Sequence, residues 1–167
     1  MKDNTSKTIT VAVSGGFDPI HPGHIRMFKE AKSLGDRLVV ILNNDNWLMK
    51  KKGFKFMSED QRKEIISSIR WVDEVVISRH TKNPDDMSVS AELAALKPDI
   101  MANGGDRNKK DAQNKSSSLY KDMTTCKKYG IKMMFNVGHG GKIESSSWLI
   151  DKAIRNAPRK VTIKIKK

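Results

Sequence analysis

Residues 8–24 read TITVAVSGGFDPIHPGH, and the fold follows from how the two halves of this stretch differ. From Thr8 to Ser14 the chain is β-branched and apolar, which predicts a buried strand. Beyond it the chain turns through Gly15, Gly16, Pro19, Pro22 and Gly23 and opens a helix near Pro22. Proline suits a first helical turn, where its missing N–H costs nothing. Ligands of open α/β sheets bind at the carboxyl ends of strands, where this turn lies. Gly15 and Gly16 let a ligand approach the backbone. The helix beyond aims free N–H groups and the positive end of its dipole at the same place.

Working outward, the alternation repeats. Residues 37–42 (RLVVIL), 72–77, 99–102 and 131–137 read as further strands. Helical spacing runs from Pro22 to a stop at Gly35, from Ser58 along an inner face of Ile65, Ile66 and Ile69, through residues 91–96, around residues 119–128, and over SSSWLIDKAI. Ser58 and Gln61 form a capping box. Residues 50–57 read as a basic loop and 103–118 as a polar stretch. Strands alternating with helices predict right-handed βαβ units. The expected fold is therefore α/β, a Rossmann-like three-layer arrangement on a mostly parallel, five-stranded sheet. Residues 1–167 are expected to form a single domain, with a core over about 8–155 and a basic tail over 156–167 that is an edge strand or a loose arm.

Composition narrows the function. Of 167 residues 37% are hydrophobic and 31% charged. No apolar run approaches the ~20 residues a membrane-spanning helix needs. MKDNTSKTIT lacks the apolar stretch of a secretory signal, so a cytoplasmic location is expected. A single cysteine, Cys126, excludes an intramolecular disulfide framework and a Cys-based zinc site. The formal charge of +13 favours anionic partners: nucleotides, phosphorylated metabolites, nucleic acid or anionic lipid.

His21 and His24 stand three apart at a helix start, so both rings can face one ligand and hold phosphate oxygens as charge builds on them. Two surface histidines on a turn are the plain alternative. A zinc pair is another, with only Asp18 nearby to complete it. Farther on, Ser145, Ser146 and Ser147 offer hydroxyls and free N–H groups at a second helix N-terminus, where capping alone needs one serine. His139, among glycines, is a further candidate for phosphate. Asp106 follows Gly104 and Gly105 at a strand end, where a carboxylate bonds a ribose or base donor or simply closes an Asx turn. Asp18 either helps hold Mg²⁺ or orders its loop. Trp71, Met101 and Trp148 read as core.

The stretch GGFDPIHPGH resembles the signature of the cytidylyltransferase-like nucleotidyltransferases, whose HxGH element stands here as His21-Pro22-Gly23-His24. Lys52-Gly53, then Met57-Ser58-Glu59 and Gln61-Arg62, resemble that family's lysine loop and helix-borne arginine. IRWVDEVV (69–76) is similar to choline- and ethanolamine-phosphate cytidylyltransferases. Pro98-Asp99-Ile100 and Gly104-Gly105-Asp106 are similar to heptose-phosphate adenylyltransferases, and Ser145-Ser146-Ser147 to the family's small-hydroxyl loop.

The resemblance implies in-line attack by an acceptor phosphate on the α-phosphorus of a nucleoside triphosphate, with pyrophosphate leaving. His21, His24, Lys52 and Arg62 are then the catalytic candidates, with Arg62, on the polar face of its helix, as a clamp on acceptor or triphosphate. Gly15, Gly16, Phe17, Asp18, Gly23, Gly105, Asp106, Ser145, Ser146 and Ser147 are the nucleotide-binding candidates. Mg²⁺ is expected as a cofactor riding mainly on the triphosphate. The substrates expected are CTP and a small phosphorylated or phosphonate acceptor, with ATP and a sugar phosphate as the alternative. A homodimer is also implied. Residues 107–118 exceed the segment expected after GGD, and their basic side chains suit a lid over the acceptor. A nucleic-acid-binding module is the rival from another class. The basic end supports it, while 6% aromatic residues and the lack of a recognisable motif weigh against it. A second rival is a regulatory protein that keeps the pocket and has lost turnover.

Overall fold

The computed structural model describes residues 7–105, 107–138 and 144–157. The expectations for Asp106, for His139 and its glycine loop, and for the tail beyond Ala157 lie outside the described residues.

Five strands form one parallel sheet: β1 (Thr10–Gly15), β2 (Arg37–Leu42), β3 (Glu74–Ile77), β4 (Ile100–Gly104) and β5 (Lys132–Val137). Their spatial order is β3-β2-β1-β4-β5. Among the described residues seven helices connect or follow them: α1 (Pro22–Lys32), α2 (Asp45–Lys52), α3 (Glu59–Ser67), α4 (Ser90–Leu96), α5 (Lys109–Gln113), α6 (Ser118–Tyr129) and α7 (Ser146–Asn156). This is the expected Rossmann-like α/β fold. The order of strands reverses between β1 and β4, the switch point where such sheets bind ligands.

Alternation along the strands divides the core into two layers. Val11, Val13, Leu38, Val40 and Leu42 face Phe28, Ala31 and Ile66 on one side. Ala12, Ile41 and Met101 face Val89, Leu93 and Cys126 on the other. Both layers are fully buried on the central strands, as a sheet covered on both faces requires.

Several local expectations change. The segment read as a basic loop is helical through Lys52: Asn44 caps α2 by accepting from the Trp47 N–H at 3.0 Å, and Gly53 ends it at φ 78. The polar stretch after β4 holds α5, capped by Asn108. Ile65 is exposed, so α3 buries Ile66 and, through its flank, Ile69. Trp148 is 55% exposed rather than core. Cys126 is buried in α6, with its thiol pushed up to about 12 by burial. Among the described residues no helix is long and apolar enough to cross a membrane.

Candidate active site

The carboxyl ends of β1, β4 and β5, with the loop after β2, open onto a cleft of about 360 Å³. Its first wall is the turn between β1 and α1. Phe17 takes a positive φ of 49 and folds its ring back against Gly15, where an added Cβ would meet the ring at 2.8 Å. Gly15 is thus a seat for Phe17 as well as part of the cleft lining. The Phe17 ring meets His24 edge-on, with centroids 4.9 Å apart, and the His24 ring stacks on His21 at 3.6 Å. Gly23 lies against the His21 ring, so a side chain there would press on it.

The backbone N–H of His21 donates to His24 Nδ1 at 3.3 Å. That makes Nδ1 an acceptor and leaves the proton of the neutral ring on Nε2. Burial, followed by the neighbouring His21 and Lys52, pushes the His24 pKa down to about 3. His24 is therefore an uncharged N–H donor at neutral pH. His21, the N-cap of α1, is buried, which also lowers its proton affinity; Glu144 opposes that fall, and Arg26 and Lys52 add to it.

A second wall comes from the far end of the chain. Ser145 is the N-cap residue of α7, and Ser146 and Ser147 occupy its first turn. All three line the cleft together with His21 and His24. Ser146 Oγ donates to the carbonyl of Pro19 at 2.8 Å, which ties α7 to the turn carrying the histidines. Lys52, the last residue of α2, lines the cleft and donates to the carbonyl of Asp18 at 2.9 Å. Burial lowers its proton affinity, with Asp18 opposing. Two helix N-termini and one ammonium thus converge on one space, a combination suited to a polyanion.

Three candidates lie behind this surface. Arg62 was expected on a polar helix face as a clamp for phosphate; instead it is completely buried. Its guanidinium donates to the carbonyls of Gly16 and Asn43, each at 2.7 Å, to that of Met57 at 3.2 Å and to Asp45 Oδ1 at 2.8 Å. All three nitrogens of the fork are used on the protein, so Arg62 braces the loop ends of β1 and β2. Gly16 packs against Leu48, 2.8 Å from where its Cβ would stand. Asp18 is fully buried and accepts from the Phe56 and Met57 N–H groups at 2.7 and 2.8 Å, one on each oxygen. It orders the loop after α2, and its buried side chain does not line the cleft. Among the described residues no three His, Cys, Asp or Glu side chains gather as a metal site.

Gly105, at φ 69, lines the cleft after β4 together with Asn103 and Arg107. Asp122 lies there too, unanticipated from sequence. It is 4% exposed, and burial raises its carboxyl to about 7 against the pull of the Val89 N–H at 2.9 Å, Arg107 and Ser90. The signal was the spacing of Leu119, Asp122 and Cys126, which sets an acid on the inward stripe of α6. Glu144 also lines the cleft, unanticipated from sequence.

A family model described as cytidylyltransferase-like matches residues 12–146. Among curated proteins, a FAD synthase of Pyrococcus horikoshii is 39% identical over 104 residues, 62% of this chain and 67% of that protein. A FAD synthase of Aciduliprofundum boonei is 32% identical over 75% of this chain and 74% of its own length. The bifunctional protein HldE of Hyphomonas neptunium is 41% identical over 56% of this chain and 18% of its own. Among solved structures, a lipopolysaccharide core biosynthesis protein from Thermoplasma volcanium superposes with TM-score 0.61 at 28% identity, over 80% of this chain and 100% of that one. The matches to the archaeal proteins span about two thirds of their length.

Proposed function

Since the chain belongs to the cytidylyltransferase-like family and is a nucleotidyltransferase, we propose that it transfers AMP from ATP to a phosphate monoester and releases pyrophosphate. The observation carrying this reading is the meeting of the His21–His24 pair with Ser145, Ser146 and Ser147 around one cleft. The IRWVDEVV likeness argued for CTP. FAD contains an AMP unit joined to FMN, so the likeness to proteins named FAD synthase supports ATP instead.

In the proposed reaction an oxygen of the acceptor phosphate attacks the α-phosphorus in line. The new O–P bond forms as the bond to the bridging oxygen of pyrophosphate breaks, and the bond electrons leave with pyrophosphate. The attacking oxygen is already anionic, so positioning and charge stabilisation supply the catalysis. His24 Nε2–H donates to the phosphates without bringing charge. Lys52 neutralises charge moving onto the leaving group. The N-terminus of α7 supplies N–H and hydroxyl donors. A magnesium ion would ride on the triphosphate, supplying charge neutralisation.

The test is pyrophosphate release with ATP or CTP against FMN and a panel of sugar 1-phosphates. The expected result is release with ATP and one of these acceptors, at least tenfold faster than with CTP. Equal or faster release with CTP would overturn the choice of nucleotide. Steeply salt-dependent nucleic-acid binding without any nucleotide binding would overturn the enzyme reading.

A further inference from the structure

Two polar atoms meet inside the cleft without bonding. His21 Nδ1 and Glu144 Oε2 are both shut off from solvent and lie 3.7 Å apart; neither makes a hydrogen bond of good geometry, the His24 backbone N–H facing the His21 side chain only as the loose half of a capping box. That separation allows an ion pair but is too long for a hydrogen bond. Unmet buried donors and acceptors are uncommon because each leaves its desolvation uncompensated. Here two of them face each other across the junction of the two walls. His21 caps α1, and Glu144 immediately precedes Ser145, the N-cap of α7.

The charges around His21 say what closes the gap. His24 and Arg26 lie on its own helix, Lys52 reaches it from α2, and Glu144 from the approach to α7. Burial and the two cations outweigh Glu144 and keep the ring neutral. A neutral His21 leaves the Glu144 carboxylate, 36% exposed, with solvent on one side and no cation bonded to Oε2, and such a carboxylate beside a triphosphate is repulsive. An arriving polyanion reverses the balance, because it adds negative charge on the ring's other side and favours its protonated form.

We propose that Glu144 is a positioning residue for His21: nucleotide binding protonates the ring, whose Nδ1–H bonds Glu144 Oε2 and leaves Nε2–H for the phosphates. The proton comes from solvent, and the imidazolium lies between two anions that otherwise repel. The same bond draws the N-terminus of α7 onto the nucleotide. This inference rests on the adenylyltransferase reading above and adds the group that couples its two walls.

The test is ¹⁵N NMR of the full chain labelled at its histidine rings, with ATP and magnesium but no acceptor, at pH 7.5. The His21 signals are identified by their loss in His21→Gln. His21 is expected to be neutral without ATP and doubly protonated with it. In Glu144→Gln it stays neutral with ATP bound, and ATP affinity falls roughly tenfold, the loss of one charge-assisted hydrogen bond. Retained ATP binding is itself the check that this variant folds. A neutral His21 in the wild-type ATP complex, or equal protonation in Glu144→Gln, overturns the inference while the adenylyltransferase reading stands. Failure of the wild type to bind ATP at all removes that reading, and this inference with it.

Discussion

Arg62 donates from α3 to the carbonyl of Gly16, 46 positions earlier in the chain, at 2.7 Å. The same nitrogen reaches the Asn43 carbonyl, so one cation joins the loop ends of two neighbouring strands. Removing it leaves buried carbonyls and Asp45 Oδ1 without their donor, while Lys55 still holds Asp45 Oδ2. Arg62→Ala is expected to lose about 3–5 kcal/mol of stability, as for other broken buried pairs. Arg62→Lys should recover less than half of that, because an ammonium lacks the fork. Urea melts measure both. An Arg62→Ala protein as stable as wild type but unable to bind nucleotide would return Arg62 to the role of a clamp.

His24 is a neutral donor on a half-buried ring, so its removal tests chemistry rather than packing. His24→Ala should lower turnover at least a hundredfold, since one preorganised donor is worth about 3 kcal/mol of barrier. Circular dichroism and melting would show the fold retained. Turnover within threefold of wild type would take His24 out of the mechanism.

The depressed pKa of His24 also shapes acid stability. Between its unfolded value of 6.5 and its folded value of about 3, the unfolded chain binds the extra proton. Stability from this group is complete above 6.5 and is lost as pH falls toward 3. Asp122 has the opposite sign: its folded carboxyl holds a proton from 3.8 up to about 7, so its contribution is complete below 3.8 and is lost as pH rises through 7. Asp122→Asn should therefore gain on the wild type between pH 4 and 8, by a few kcal/mol if about 1.4 kcal/mol accompanies each pH unit. Denaturant midpoints across that range measure the difference. A constant offset between the two proteins would show that Asp122 titrates normally.

Ser146 ties α7 to Pro19 by one side-chain bond, and it holds no reacting atom in the proposed chemistry. Ser146→Ala should raise the KM for ATP several-fold with kcat changed by less than threefold, because the loosened wall weakens binding before it affects the transfer. A net loss of about 1 kcal/mol in stability is expected from a neutral hydrogen bond. Steady-state kinetics with a saturating acceptor separates the two parameters. A fall in kcat alone would place Ser146 on the transition state instead.

The local readings that held are those in which residue type alone dictates backbone geometry. Strands of Val, Ile and Leu, Pro22 at a helix start, and the Ser58–Gln61 box each act within a few residues. The helix α2 was missed because its last turn is three lysines and its cap, Asn44, stands two residues after the end of a strand. In Trp148 the apolar character of the side chain suggested burial, yet whether a helix face is covered depends on what packs against it.

Sequence by itself determined the alternation of strands and helices and the glycine turn with its two histidines, because hydrophobic period and turn chemistry are short-range properties. Only the tertiary structure decided that Arg62 is a brace, that both Asp18 oxygens are spent on backbone N–H groups, and that Glu144 and Asp122 face the cleft. Those roles are set by neighbours tens of residues away, and a charged side chain carries no local mark of whether it meets solvent, a ligand or a buried carbonyl.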